Sequence, residues 1–166
     1  TASIGVSASI FIGDGSRLTN LPGGSGGGIF TEASSNQAFT TSSVNIGSTT
    51  TPTTTLSVAG SSYLSGAVIH KRRMTTSNYI VTISDFYIGA DSTSNPVLLS
   101  LPTASTTTDG QTFIFKDEGG NAENNNITIS CSVGGDKIDG QNSIVLESPY
   151  ASVQLYCNGT NKYFIC

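Results

Sequence analysis

The residues best able to do chemistry in this chain are a few carboxylates, one basic cluster and three cysteines. Asp136 and Asp139 flank Lys137-Ile138 inside Gly134-Gly-Asp-Lys-Ile-Asp-Gly140, and Asp117 stands next to Glu118. A glycosidase needs two carboxyl groups roughly 5–10 Å apart around a sugar ring, and either pair could supply them. Aspartate before glycine is also ordinary turn chemistry, the carboxylate accepting nearby backbone N–H groups, and this is the expected role of Asp136 and Asp139. The ligand order of an EF-hand is absent, so calcium is not expected.

His70-Lys-Arg-Arg-Met74 is the only basic cluster. Arginine forks match carboxylates and phosphates bidentately and could grip an anionic glycan or a lipopolysaccharide phosphate. The plainer expectation is a solvated junction whose charges discourage edge-to-edge strand pairing. His70 is the single histidine, so a Ser-His-Asp triad would have to be built at that junction, and no GxSxG elbow exists. Cys131, Cys157 and Cys166 contain no CxxC spacing, which argues against zinc. An odd number leaves at least one thiol without a partner in the chain; all three fall in or beside strand-like runs, where buried, reduced side chains are the plainer expectation and one disulfide is the alternative. Gly23-Gly-Ser-Gly-Gly-Gly28 lacks the Lys-Ser/Thr ending of a phosphate-binding loop. No catalytic residue, metal or cofactor is therefore expected, and the chain reads as a non-enzyme.

A binding role has better candidates. Asp117-Glu-Gly-Gly-Asn-Ala-Glu-Asn-Asn-Asn126 is dense in carboxylate acceptors and amide donors, which suit sugar hydroxyls, and tyrosine rings can stack on sugar faces, although a plain exposed loop and tyrosines that are mostly core or interface are the plainer expectations. Asn121, Asn124, Asn125, Tyr150 and Asn158 are the candidate binding contacts. Asn126-Ile-Thr128 and Asn158-Gly-Thr160 also match the N-glycosylation acceptor pattern.

These residues need a scaffold, and composition indicates which kind. Of 166 residues, Ser and Thr number 47, Asn 12 and Gly 19, while only 11% are charged. Intracellular enzymes carry about a quarter charged residues. Abundant Thr, Val, Ile, Tyr and Phe favour strands, and low net charge with ample apolar residues argues against disorder. A formal charge of −4 argues against nucleic-acid binding. No apolar run approaches the roughly 18–20 residues that cross a bilayer, so no membrane insertion is expected. The start lacks the charged and apolar regions of a signal peptide, which suits a protein assembled into a particle in the cytoplasm.

Texture changes near residue 70. Before it, Asp14, Arg17 and Glu32 are the only charged residues, and short apolar pieces alternate with Gly, Pro and Ser/Thr breaks. Residues 9–22 read as a strand, a Gly-Asp-Gly turn and a second extended piece ended by Pro22, followed by a flexible linker at 23–28. After residue 70, strands are expected near 78–84, 86–90, 97–101, 111–117, 126–133, 143–147, 151–157 and 162–166. Turn signals such as Thr108-Asp-Gly110, Asp139-Gly140 and Asn158-Gly159 separate them. Helix is expected to be scarce. The best hairpin joins Val153-Gln-Leu-Tyr-Cys157 to Lys162-Tyr-Phe-Ile-Cys166, with its register open. The expected fold is all-β: a slender N-terminal β stem (1–70), then a C-terminal β-sandwich or jelly-roll-like head (71–166). Stem segments this thin gain stability mainly by packing on copies of themselves.

Three stretches carry a resemblance. Phe11-Ile-Gly-Asp-Gly-Ser-Arg-Leu-Thr-Asn-Leu-Pro22 and Ile46-Gly-Ser-Thr-Thr-Thr-Pro-Thr-Thr-Thr-Leu-Ser-Val-Ala-Gly60 resemble recurrent shaft units of bacteriophage tail fibres and of fibre-like proteins of large DNA viruses. The stretch from Gly120 through Gly135-Asp-Lys-Ile-Asp-Gly140 to Tyr156-Cys-Asn-Gly-Thr-Asn-Lys-Tyr-Phe-Ile165 is similar to their C-terminal tip domains, from which Cys157 and Cys166 depart. The resemblance implies a parallel homotrimer on the virion surface, joined to an upstream fibre or virion component, whose tip meets a host-surface glycan or protein receptor. A polysaccharide-degrading tailspike and a purely structural capsid or baseplate decoration are the alternatives.

Overall fold

The computed structural model describes residues 31–34, 37–39, 43–47 and 54–166, so the strand-turn reading of 9–22 and the linker at 23–28 lie outside the described residues. The chain divides into two compact units, Thr1–Leu64 and Ser65–Cys166. It is nearly all β.

In the first unit, β1 (Thr31–Ser34) pairs antiparallel with β2 (Gln37–Phe39), with an irregularity between Glu32 and Ser34. β3 (Val44–Ile46) pairs parallel with β4 (Leu56–Val58), setting Val44 opposite Leu56 and Ile46 opposite Val58. Three-residue strands offer little surface to cover one another, and Leu56 remains 61% exposed.

The second unit holds ten strands: β5 (Arg72–Thr75), β6 (Tyr79–Ile80), β7 (Tyr87–Ala90), β8 (Val97–Leu101), β9 (Thr112–Asp117), β10 (Ile127–Cys131), β11 (Lys137–Ile138), β12 (Ser143–Leu146), β13 (Ser152–Cys157) and β14 (Lys162–Ile165). A single 3-10 turn, Ala104–Thr106, is the one helical element among the described residues. No helix there is long and apolar enough to cross a membrane. One sheet has the order β12-β10-β8-β6 and the other β11-β14-β13-β9-β7-β5. From β5 to β13 the chain changes sheet at every strand. Consecutive strands within a sheet are therefore joined by way of the other sheet, and β5–β7, β7–β9, β6–β8 and β8–β10 all pair parallel.

Alternation decides what is buried. In β9, Phe113, Phe115 and Asp117 point inward while Thr112, Ile114 and Lys116 point outward, as the period-two geometry of a strand requires. Both sheets feed one apolar core: Val97, Leu99, Leu101, Ile127 and Ile129 from the first, and Ile88, Phe113, Phe115, Leu155 and Tyr163 from the second. Each such side chain contributes about 1.5–3 kcal/mol on burial. Burial also pushes the Tyr163 phenol well above its usual range, and its hydroxyl donates to the Pro102 carbonyl at 2.7 Å.

Seven of the eight expected strands of this unit form, mostly a residue or two shorter at their ends, while the expected 78–84 shrinks to the two residues of β6. β5 and β11 were not expected. The hairpin register is fixed with Cys157 opposite Tyr163 and Tyr156 opposite Phe164, which turns Cys157 and Tyr163 inward. Gly110, Gly140 and Gly159 adopt positive φ at turns marked in the sequence, and Gly120 does so within the polar loop. The cysteines differ from expectation: all three are free, but only Cys157 is buried, while Cys131 is half-buried and Cys166 is exposed. Cys166 follows the last strand, where none of the described residues covers it.

Candidate functional site

The polar loop between β9 and β10 is organised from within. Asp117 is fully buried, and its carboxylate accepts the N–H of Gly120 at 2.9 Å, of Ala122 at 3.1 Å and of Tyr150 at 3.0 Å. A buried charge persists only with such partners. The Asn121 and Asn125 amides donate to the backbone carbonyls of Ser92 and Thr93, Asn125 at 2.9 Å to Ser92. Asn124 is exposed and donates to Asn121 Oδ1 at 2.8 Å. Two of the three candidate asparagines in this loop thus tie it to the one after β7, and their amides face the protein.

Asn158 belongs elsewhere. Its Oδ1 accepts the N–H groups of Thr160, Asn161 and Lys162 at 2.9–3.0 Å and closes the β13–β14 turn. Tyr150 and Asn158 lie at opposite ends of β13, which holds them roughly 20 Å apart. One sugar ring cannot touch both.

The carboxylate pairs resolve into structural roles. Asp136 is buried and accepts the Ala104 N–H at 2.9 Å, fixing the start of the 3-10 turn. Asp139, at φ +45°, accepts the Ile165 N–H at 3.3 Å. Asp117 is enclosed while Glu118 is paired with Arg72 on the outer face, so the two carboxylates of that pair serve different surfaces.

The basic cluster also divides, because it folds into strand β5. Arg73 turns towards Asp85, at 3.5 Å, and lies 5.3 Å from the Tyr79 ring centroid. Burial opposes the charge on Asp85, but the Thr82 N–H, the Tyr79 and Thr82 hydroxyls and Arg73 outweigh it and hold the carboxyl below its usual range. Arg72 points outward and meets Glu118 through two nitrogens, Nε to Oε1 at 2.8 Å and Nη2 to Oε2. That fork holds the Glu118 carboxyl below the usual carboxylate range.

Arg72 and Glu118 border a groove of about 260 Å³ on the outer face of the six-stranded sheet, lined also by Tyr87, Gly89, Ile114, Lys116 and Ser152. Register explains the assembly: Arg72 lies beside Tyr87 and Tyr87 beside Ile114, while Gly89 lies beside Lys116 and Lys116 beside Ser152. Over Gly89 lies the Glu118 carboxylate, with which a Cβ at that position would collide. Tyr87 is 41% exposed and continues into a small aromatic cluster, with Phe86 stacked on His70 at 3.8 Å between ring centroids. On the other side Lys116 donates to the Tyr150 carbonyl, and its ammonium lies 5.5 Å from the Tyr150 ring centroid.

Of the five expected receptor contacts only Tyr150 comes near this groove, through its contact with Lys116. Arg72 from the basic cluster and Glu118 from a carboxylate pair both line it, whereas Tyr87 and Lys116 were not among the expected contacts, although the outward positions of a strand reading Thr-Phe-Ile-Phe-Lys-Asp already place Lys116 on an open face. Among the described residues no cluster of three or more His, Cys, Asp or Glu could hold a metal. The chain matches no protein-family model and no curated protein.

Proposed function

We propose that this chain is the C-terminal, host-attaching part of a trimeric virion fibre, with a stem over residues 1–70 and a β-sandwich-like head that meets a cell-surface glycan. The observation that carries the reading is apolar surface a single chain leaves bare. Tyr63 is 92% and Ile69 94% exposed, and Leu56, Leu64 and Val68 are more than half exposed. Soluble monomers rarely leave so many large apolar side chains open along one short stretch. Side-by-side copies would cover them, each side chain contributing about 1.5–3 kcal/mol on burial. The shaft-like units at 11–22 and 46–60 and the tip-like C-terminus support the same assignment. Several fibres on one particle would turn weak single-site binding into firm attachment. Amine-directed cross-linking of dilute protein tests it: a dominant trimer band agrees, and a ladder without preference for three opposes it.

A further inference from the structure

We propose that the groove between Arg72, Tyr87 and Lys116 is a binding subsite for a carboxylate-bearing sugar of an acidic polysaccharide or glycan. The inference rests on the attachment role proposed above and names the ligand class for it.

The groove joins the three features an acidic pyranose requires. The first is charge. Arg72 and Lys116 face Glu118 alone among the lining residues, an excess of one positive charge on a chain whose formal net charge is −4. Arg72 spends Nε and Nη2 on Glu118, which leaves Nη1 to donate to an incoming carboxylate. Lys116 spends one of its three donors on the Tyr150 carbonyl and keeps the others. The second feature is an apolar platform: the exposed Tyr87 ring beside Ile114 offers a surface for the C–H face of a sugar. The third is a hydroxyl acceptor. Glu118 is held ionised and oriented by Arg72, so its remaining lone pairs can receive sugar hydroxyls.

Size agrees. Clefts that enclose drug-sized ligands span roughly 300–1,000 Å³, whereas this groove holds about 260 Å³ and suits one or two rings of a longer chain. The glycine at position 89 makes room for the Glu118 carboxylate, which any side chain there would displace from its place beside Arg72.

The test is titration of the full chain, followed by ligand-observed NMR, with two matched probe pairs: tetragalacturonate against galactotetraose, and sialyllactose against lactose. At least one acidic member is expected to bind, weakening with added salt, while its neutral counterpart does not. Tyr87→Ala and Lys116→Gln should each weaken binding by about tenfold, the loss expected for one charge-assisted or stacking contact. Gly89→Ala should weaken it similarly. Lys162→Gln, which removes the same charge at the far end of β13–β14, should leave it unchanged. Unfolding curves for each variant separate lost binding from lost folding. Equal binding of acidic and neutral members, indifference of acidic binding to all three groove variants, or no binding by any probe at millimolar concentration would each overturn the subsite. A chain that is trimeric yet binds none of the probes would remove this inference while leaving the fibre architecture standing. A monomer that binds them through the groove would do the reverse.

Discussion

The buried carboxylate of Asp117 accepts the backbone N–H of Tyr150 at 3.0 Å, and through this bond the loop after β9 and the segment before β13 hold each other in place. The same carboxylate binds Gly120 and Ala122. Asp117→Ala would strand three N–H groups, two of them on buried or half-buried residues, and should destabilise the second unit by about 3 kcal/mol. Asp117→Asn retains one acceptor oxygen and should lose less. Urea unfolding followed by tyrosine fluorescence measures both, and a wild-type midpoint for Asp117→Ala would refute the arrangement.

Gly120 sits at φ +71° directly beneath the Tyr150 ring, where a Cβ would collide with it. The ring is 63% exposed and free to swing outward, so the backbone sets most of the cost of a side chain. Gly120→Ala should destabilise by about 1 kcal/mol, and by nearly as much when Tyr150 is already alanine. A double-mutant cycle of unfolding midpoints reads this directly. Strong coupling between the two sites would show that the ring cannot move.

Asn158 is assigned to the hairpin turn, where its side chain satisfies three backbone donors. Asn158→Ala is expected to cost about 1–2 kcal/mol, as loss of a comparable cap does in helices. Asn158→Asp keeps the acceptor and should stay close to wild type. Neither change should alter binding of an acidic sugar. If Asn158→Ala abolished sugar binding at unchanged stability, the residue would be a ligand contact after all.

The acid limb of stability should report Asp85. Its folded carboxyl lies below the unfolded value of about 3.9, so the unfolded chain takes up the proton first. The stabilisation is therefore complete above about pH 4 and fades as pH falls through the folded value. Asp85→Asn should flatten this limb while lowering stability at neutral pH. Glu118 shifts in the same direction, but its pair with Arg72 is exposed and adds little. Unfolding midpoints between pH 2 and pH 6 (roughly the span in which carboxylates titrate) make the comparison. An unchanged acid limb in Asp85→Asn would contradict the assignment.

The strands of the second unit were legible because their residues obey local rules. Thr112 to Asp117 alternates cleanly, and Asn158-Gly159 marks its turn. β5 escaped notice because Arg72-Arg-Met-Thr75 shows no apolar alternation; its position comes from parallel pairing with β7, a partner 15 residues along the chain. The exchange of sheets at every strand was invisible for the same reason, since parallel partners are not sequence neighbours. Asn121, Asn125 and Asn158 were read as open hydrogen-bonding groups, and composition cannot tell an amide facing solvent from one closing a turn. The groove was harder still. Arg72, Tyr87, Lys116 and Ser152 come from four strands, and only their register makes them neighbours.

The central claim is that three copies of this chain assemble around the apolar residues a single copy leaves exposed. Sedimentation equilibrium at micromolar concentration tests it most directly, with reductant present to exclude bridges through Cys166. The account predicts a mass of about three times 17.1 kDa, falling towards one chain when Leu56 and Ile69 are both replaced by serine. A wild-type chain that sediments as a monomer at that concentration would contradict it.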